Sequence, residues 1–459
     1  MDLANQIESI VGAPNVSKKP WVVWGYSKDA SAVEGAVPSM VVMPTTVEEV
    51  QAIMKLANDT KTPVFPRGSG TALWGAVPVE GAIVIDTAKL NKVKRIDEET
   101  LVCVTEPGIT FGELDAILHK SGYRFLVAPE NAQSGTIGGH FASHGTGTGS
   151  AIYGYQGDCV LGLKVVLPNG ELLITGSALS PHNPRHFCRY AFANDLTGVF
   201  CGSEGTLGTI VEIALKIERL PEAIDWATFR FDHWESACEA GMMVRRARIP
   251  CLHLFMGHFG PLDVIDPKGA PHDPIRTNFT IEGDKDIIGI YKKKLIEIVQ
   301  QYGEYLGEEA ARRSWMERWR TMGTMFTLGV RAMIPYLVPF GKGAAIFCRE
   351  IDKVSHELTE KYKEYKLNVF FVAGFGVDRG WLFANNVIYD ESDSIQHQKA
   401  KEALREIQDK AYELGAIPYR IGTYWAKDLQ QLGPYFDVLK KFKEVLDPNH
   451  IMSPGVLGL

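Results

Sequence analysis

The sequence predicts an α+β protein in two parts, an N-terminal α+β domain followed by an α/β domain with an antiparallel sheet. Short apolar strands and helices alternate along the first half, and three of the turns beside them are rich in glycine. After Leu220-Pro221-Glu222 the helices become longer and still alternate with strands. A chain of 459 residues with 45% hydrophobic content can form more than one core.

The N-terminal part begins with a β-α-β unit. Residues 41–43 and 63–65 are short apolar strands, and the helix between them opens at Thr46, where Glu49 completes a capping box. The predicted buried face of this helix comprises Val47, Val50, Ile53, Met54 and Ala57.

Four further elements follow in the first part. Residues 82–85 and 101–104 are predicted strands, residues 110–123 a helix, and residues 159–175 a hairpin with a Pro168-Asn169-Gly170 turn. The buried side of the helix is expected to carry Phe111, Leu114, Ile117 and Leu118.

The second part alternates strands with helices, around a loop-rich section near Trp315 and Trp319. The predicted strands are 226–231, 252–258, 369–375 and 382–388, and the predicted helices are 234–247, 285–302, 343–362, 394–414 and 435–446. We expect domains at residues 1–221 and 222–425, with residues 426–459 returning to the first.

Two of the glycine-rich turns predict a phosphate-bearing ligand. Residues 66–71 read Pro-Arg-Gly-Ser-Gly-Thr, and residues 134–139 read Ser-Gly-Thr-Ile-Gly-Gly. Glycine lets backbone N–H groups converge on phosphate oxygens. Neither turn has the G-x-G-x-x-G or G-K-[ST] pattern, so a flavin dinucleotide is favoured over NAD or ATP.

Composition excludes several classes of protein. The net charge is −7 and there is no polybasic tract, so nucleic acid is not an expected partner. No apolar run approaches the about 20 residues that span a bilayer, and the seven cysteines are scattered singly. A cytoplasmic soluble enzyme without a metal is expected.

With these motifs in this order, the chain resembles FAD-linked oxidoreductases with a p-cresol methylhydroxylase type of FAD domain, the vanillyl-alcohol oxidase superfamily. The matching segments are 38–44, 66–78, 106–108, 136–139, 162–170, 202–208 and 446–455. The resemblance implies a two-part FAD-binding domain and a substrate-binding cap domain. It places the flavin ring at the interface between them.

The resemblance also implies a set of cofactor contacts. The expected FAD-binding residues are Pro66, Arg67, Gly68, Ser69, Gly70, Thr71, Trp74, Pro129, Ser134, Gly135, Thr136, Gly138, Gly139, His140, Ser143, Gly205, Gly208, Ile210, Val211 and Arg420. Trp74 stands where the family has a tyrosine. No histidine lies around residues 379–385 to bind the flavin covalently, so non-covalent FAD is expected.

Two branches of the family differ in their cap motifs. The glycolate oxidase and D-lactate dehydrogenase branch carries H-x-G-D-G-N-x-H and a later G-E-H-G, whereas residues 374–380 and 419–422 here contain no histidine. The vanillyl-alcohol oxidase branch has a Tyr-Arg pair ahead of its tail, and Tyr419-Arg420 matches it. By this resemblance Tyr419 and Arg420 are catalytic, with Glu130 as the acidic residue near the flavin.

The expected activity is FAD-dependent hydride removal from a small organic substrate. A para-substituted phenol is the first prediction. A D-2-hydroxy acid such as lactate or glycolate is the alternative, and a non-catalytic flavin subunit of an electron-transfer complex is a third. An electron acceptor, either a cytochrome or another flavoprotein, and a homo-oligomer are expected partners.

Overall fold

The structure is a computed structural model that describes residues 2–258 and 275–459, with the backbone alone for His258, Val372 and Ala373. It contains three sheets, and each has its own place in the chain. Mixed helices and sheets confirm the predicted fold class. None of the helices in the described ranges has the length and apolar character of a membrane span.

The first sheet is small and mostly parallel. Its order is β1-β2-β4-β3, and β2 and β3 both run parallel to β4. The capping box predicted at Thr46 is present, and the helix that it starts buries Val50, Ile53, Met54 and Ala57. The elements are α1 Leu3–Val11, β1 Val16–Ser17, α2 Pro20–Gly25, β2 Met40–Val42, α3 Val47–Thr60, β3 Val64–Arg67 and β4 Ile83–Asp86.

The second sheet is antiparallel and carries the predicted hairpin. Its order is β5-β6-β10-β8-β9, with β7 paired to β10. The elements are β5 Val93–Asp97, β6 Val102–Thr105, α4 Phe111–Lys120, β7 Tyr123–Phe125, α5 Ile137–Ala142, α6 Ser150–Tyr153, β8 Val160–Val166, β9 Leu172–Ile174, α7 Leu196–Phe200 and β10 Thr209–Arg219.

The third sheet is the predicted antiparallel sheet of the second part. Its order is β14-β11-β13-β12-β16-β17-β15-β18. The elements are β11 Ala223–Phe231, α8 Trp234–Arg246, β12 Cys251–His258, β13 Ile275–Gly283, α9 Ile288–Val299, β14 Glu304–Gly307, α10 Glu309–Glu317, α11 Thr321–Thr327, β15 Val330–Pro339, α12 Lys342–Lys361, β16 Asn368–Val377, β17 Gly380–Ile388, α13 Ser394–Glu413 and β18 Ile417–Pro418. Long helices cover one of its faces through a large aromatic and aliphatic core.

The C-terminal segment returns to the first sheet. Helices α14 Ala426–Gln430 and α15 Pro434–Leu446 lead into a tail that runs beside β3. There Val64 N donates to Ile451 O at 2.7 Å, and Ser453 N donates to Val64 O at 2.8 Å. The tail therefore extends the sheet from which the first glycine-rich turn leaves.

Several elements differ from the sequence-based expectation. The section near Trp315, expected to be rich in loops, contains helices α10 and α11 and leads into strand β15. Strand β13 was also not predicted. Ile117, expected on the buried face of α4, is exposed, because only Phe111, Leu114 and Leu118 face the core.

Candidate active site

A long cleft lies between the glycine-rich turns and the uncovered face of the third sheet. On one side it is lined by the turns at residues 66–71, 134–139 and 203–208. On the other side it is lined by α11, by residues of β15, β16 and β17, and by Tyr419 and Arg420. Residues from all three sheets line this cleft, among them Arg67 of β3, Ile210 of β10 and Leu382 of β17.

Nearly all residues expected to bind FAD line this cleft. They are Pro66, Arg67, Gly68, Ser69, Gly70, Thr71, Trp74, Pro129, Ser134, Gly135, Thr136, Gly138, Gly139, His140, Ser143, Gly205, Gly208, Ile210 and Arg420. Val211 does not line it, because its side chain is fully buried in the core beneath the first sheet. Strand alternation explains the difference, since Val211 points away from the face that carries Ile210.

The first and second glycine-rich turns touch each other. A Cβ on Gly68 would lie 2.1 Å from Thr136 Oγ1, so only glycine permits this approach. Asn131 Nδ2 donates to Thr71 Oγ1 at 2.9 Å, and Asn131 O accepts from Gly135 N at 2.7 Å, so Asn131 bridges the two turns. The two turns therefore form one continuous backbone surface on the cleft.

Arg67 supports the first turn from beneath. Its guanidinium lies 5.0 Å from the Tyr26 ring, and Nη1 donates to Tyr26 O at 3.1 Å. Gly70 has φ +67°, and a Cβ there would lie 2.1 Å from Arg67 Nη2. The guanidinium thus fills the space below Gly70.

The third turn is held by the C-terminal tail. Lys443 Nζ donates to Thr206 O at 2.8 Å, to Met452 O at 2.5 Å and to Asp447 Oδ2 at 2.6 Å. Lys443 and Asp447 are both buried. One buried ion pair therefore connects the tail, helix α15 and the third turn.

Arg420 enters the cleft between two aromatic rings. Its guanidinium lies 4.1 Å from the Trp74 ring and 4.4 Å from the Tyr419 ring. Its Nε is buried and has no hydrogen-bond partner among the described residues. A guanidinium held in this way is positioned to meet an anion.

The hydroxyl of Tyr419 is already fully bonded within the protein. It accepts from Arg420 Nη2 at 2.8 Å and from Thr146 Oγ1 at 2.9 Å, and it donates to His144 O at 3.3 Å. A phenol hydroxyl has one proton to donate and two lone pairs. Tyr419 therefore orients Arg420 and has no remaining donor for a substrate oxygen.

Two histidines lie behind this pair, and both are neutral. His140 donates from Nε2 to Thr146 O at 3.1 Å, and His144 donates from Nε2 to Tyr419 O at 2.6 Å. Burial, with the Arg420 charge second, lowers the pKa of His140 to about 3 and that of His144 to about 4. His144 therefore holds the backbone carbonyl of Tyr419, and His140 holds that of Thr146.

Three acidic residues line the cleft, namely Asp29, Glu130 and Glu204, and the Asp29 carboxylate accepts from the backbone N–H groups of Gly75 and Ala76. Burial raises the pKa of Glu130 to about 8, and Glu130 has no hydrogen-bond or ionic partner in the described part of the chain. Burial also raises the pKa of Glu204 to about 8, while the nearby Arg420 charge opposes the shift. Glu204 adopts φ +49°, a strained conformation for a residue with a side chain.

Sequence reasoning missed Glu204 and the whole cap side of the cleft. Glu204 stands in the third glycine-rich turn, whose Gly205 and Gly208 were expected to bind FAD, and the turn brings Glu204 close to Arg420. The cap residues lie on α11 and on alternate positions of β15 and β17. The period-2 pattern of β15 was a signal for its inward face, although the prolines at 335 and 339 obscured it.

Three glycine-rich turns along one cleft, with Arg420 in the same lining, are the features expected of a flavin-dependent enzyme. A family model described as "FAD binding domain" matches residues 38–176. A second, described as "FAD linked oxidases, C-terminal domain", matches residues 220–457. The chain therefore belongs to the FAD-linked oxidases, an oxidoreductase family, as its sequence motifs predicted.

Individual relatives cover almost the whole chain. It is 25% identical to the glycolate oxidase subunit GlcD of Bacillus subtilis, over 99% of this chain and 96% of that protein. It is 28% identical to a mitochondrial D-lactate dehydrogenase (cytochrome) of Arabidopsis thaliana, over 92% of this chain and 73% of that protein. Among solved structures, p-cresol methylhydroxylase with bound substrate superimposes with a TM-score of 0.86 at 19% identity, covering 100% of this chain and 96% of that one.

The residues of the cleft fit FAD. At Gly68, Gly70, Gly205 and Gly208 a Cβ would meet other protein atoms at 3.1 Å or less, so glycine allows the turns to pack closely and to present backbone to the cleft. The cleft continues from these turns to Arg420, which suits an extended dinucleotide.

Proposed function

We propose that this FAD-dependent oxidoreductase takes a hydride from C2 of a 2-hydroxy acid whose carboxylate is bound by Arg420. The observation that carries the proposal is the cleft-facing Arg420, whose Nε has no partner among the described residues. The relatives named as glycolate oxidase and D-lactate dehydrogenase support the same substrate class. A carboxylate is the geometric partner of a guanidinium.

A para-substituted phenol, the first prediction from sequence, is the second candidate. The stacked rings of Phe255 and Phe375, whose centroids are 5.2 Å apart, would suit an aromatic substrate. Against it, the Tyr419 hydroxyl is saturated by Arg420, Thr146 and His144 and has no donor left for a phenolate. We therefore place the 2-hydroxy acid first.

In the proposed reaction the substrate loses its C2 hydrogen as hydride and its hydroxyl proton, and becomes a 2-oxo acid. Bound FAD would supply the two-electron acceptor at N5. Arg420 would hold the carboxylate and, near the flavin, stabilise developing negative charge. Glu130, which lines the cleft and which the family resemblance places near the flavin, would accept the hydroxyl proton once ionised.

The test is an anaerobic titration of the purified holoprotein, followed at the flavin absorbance. Bleaching by a D-2-hydroxy acid and not by 4-ethylphenol supports the proposal. Bleaching by the phenol alone would favour the second candidate. No bleaching by either, together with reduction by a co-purified protein, would indicate a non-catalytic flavin subunit.

The residue that carries the proposal is tested by Arg420→Ala. Loss of the carboxylate contact should lower kcat/KM for the 2-hydroxy acid by about 100-fold or more, since a charge-assisted contact is worth roughly 3 kcal/mol when desolvated. The matched control is Arg379→Ala, because the Arg379 side chain is 91% exposed and lies outside the cleft. Equal rates in both variants would exclude Arg420 from the site.

A further inference from the structure

The cap half of the cleft is almost entirely hydrocarbon and sulfur. Its floor is formed by Phe255, Phe375, Leu382 and Met333 on the uncovered face of the third sheet. Phe255 pairs across strands with Phe375, and Phe375 pairs with Leu382, so these side chains form a contiguous row. Few polar groups interrupt this surface.

Helix α11 closes the row from above. Met322 and Met325 of this helix line the cleft, and Met325 packs in one apolar cluster with Phe255 and Phe370. Methionine adapts its shape to an irregular apolar ligand. Floor and roof together form an apolar recess, which we define by Phe255, Met322, Met325, Met333, Phe375 and Leu382.

The recess has a polar group at each end. Arg420 marks one end, where Tyr419 packs against Leu382. Asn386 marks the other end: it lies four residues beyond Leu382 on β17, about 13 Å away. Asn386 is fully buried, and neither amide atom has a partner in the described part of the chain.

These observations do not fit a substrate as small as glycolate or lactate. Either molecule would occupy the Arg420 end and leave the recess in contact with water. Strands β16 and β17 present Phe375 and Leu382 to the cleft, and neither residue can bond to a polar substrate group. A ligand that extends from Arg420 along the recess would instead bury this apolar surface.

We infer that the substrate is a 2-hydroxy acid with a long apolar side chain, whose tail lies in the recess between α11 and the sheet. The inference rests on the proposed function for the reacting end of the molecule. The increase in kcat/KM with each added carbon should end where the tail reaches the Asn386 amide. Each buried methylene should raise kcat/KM about fourfold until that point.

The experiment measures kcat/KM for the holoenzyme with lactate, 2-hydroxybutyrate, 2-hydroxyhexanoate and 2-hydroxyoctanoate. The expected result is a rise of about 60-fold over the first three added methylenes. In parallel, calorimetry measures the Kd of the non-oxidisable acids acetate, butyrate, hexanoate and octanoate. Their affinity should rise with chain length in the same way.

The two measurements separate the inference from the function on which it rests. If lactate is oxidised as efficiently as 2-hydroxyoctanoate, the inference fails and the proposed function stands. If no 2-hydroxy acid is oxidised, the proposed function fails, and the calorimetric series alone decides whether the recess binds apolar chains. If the affinity is independent of chain length, the recess does not bind the apolar tail.

Met322→Gln tests the position of the tail. Met322 is only half-buried, so the polar amide is compatible with folding. Its expected effect is a loss of about tenfold in kcat/KM for 2-hydroxyoctanoate with little change for lactate. Met316→Gln is the control, because Met316 is 69% exposed on the preceding helix. The same selective loss in both variants, or in neither, would remove Met322 from the recess.

Discussion

At the scale of single residues, the sequence-based prediction for Tyr419 and Arg420 depended on a match of only two residues. The geometry of the pair changes the role that we assign to Tyr419. Adjacent positions gave no means of predicting that the Tyr419 hydroxyl bonds to Arg420, because adjacent side chains of an extended segment usually point apart. Thr146 and His144 come from a loop far away in sequence. We therefore propose that Tyr419 is a positioning residue and that Arg420 is the group available to a ligand.

Tyr419→Phe tests this division of roles. The substitution keeps the ring and removes the acceptor of Arg420 Nη2, so kcat/KM for the acid substrate should fall about tenfold through loss of one charge-assisted hydrogen bond. The double variant with Arg420→Ala should be no slower than Arg420→Ala alone, because Tyr419 acts through Arg420. Additive losses would mean that Tyr419 touches the substrate independently.

Glu130 gives a prediction in pH. A base with its pKa raised to about 8 is mostly protonated at pH 7, so kcat/KM should rise with pH and level off above about pH 8. Glu130→Gln should lower the rate and remove this limb in a profile from pH 6 to 10. Glu204 has the same raised pKa but lies by Arg420, so Glu204→Gln should keep the limb. If the rise of kcat/KM with pH persists in Glu130→Gln and is lost in Glu204→Gln, then Glu204 and not Glu130 is the base.

At the scale of elements, the sequence predicted those parts that short-range rules decide. The capping box of α3, the hairpin of β8 and β9 and the glycine-rich turns were all visible, since each depends on residues within one turn. The recess was not visible, because α11 is short and its sequence, Thr-Met-Gly-Thr-Met-Phe-Thr, has little apolar periodicity. Its position over Phe255 is decided by tertiary packing.

Helix α15 and the tail carry a prediction about cofactor binding. Lys443→Met leaves Asp447 as an unpaired buried carboxylate, which should destabilise the fold by roughly 3–5 kcal/mol. Because Lys443 also holds Thr206 O of the third turn, the affinity for FAD should fall as well. Chemical denaturation and flavin release by dialysis measure the two effects.

Lys441→Met is the matched control on the same helix, since Lys441 is exposed. It should change neither quantity measurably. Normal flavin retention in a destabilised Lys443→Met protein would mean that the third turn keeps its shape without the ion pair.

At the scale of the whole molecule, three buried histidines and the half-buried His144 are distributed over both parts of the described chain. Burial lowers the pKa of His140 and His253 to about 3 and that of His144 and His186 to about 4. Each is neutral in the folded protein, whereas in the unfolded chain each titrates near pH 6.5. Below that pH the unfolded state binds protons that the folded state does not, so folding stability falls as the pH drops from 6.5 towards 4.

His253, in the second part of the chain, allows the effect of one buried histidine on folding stability to be measured by itself. It stacks on Phe255 at 5.7 Å, and neither ring nitrogen has a partner among the described residues. His253→Phe keeps the aromatic packing and removes two unsatisfied polar atoms, so it should stabilise the protein by about 1–3 kcal/mol at pH 7. The difference in the free energy of unfolding should grow by up to about 1.4 kcal/mol for each pH unit below 6.5, because in the wild type His253 takes up a proton only in the unfolded chain.

The measurement is the free energy of unfolding in urea at several pH values from 7.5 to 4.5, compared between wild type and variant. Taking the difference cancels the carboxyl groups with raised pKa, which act in the opposite direction and are common to both proteins. His182→Phe, at an exposed position, should give a difference that does not depend on pH. If the difference for His253→Phe is also independent of pH, His253 takes up a proton in the folded protein as readily as in the unfolded chain. Water would then have to reach the His253 side chain in the folded protein.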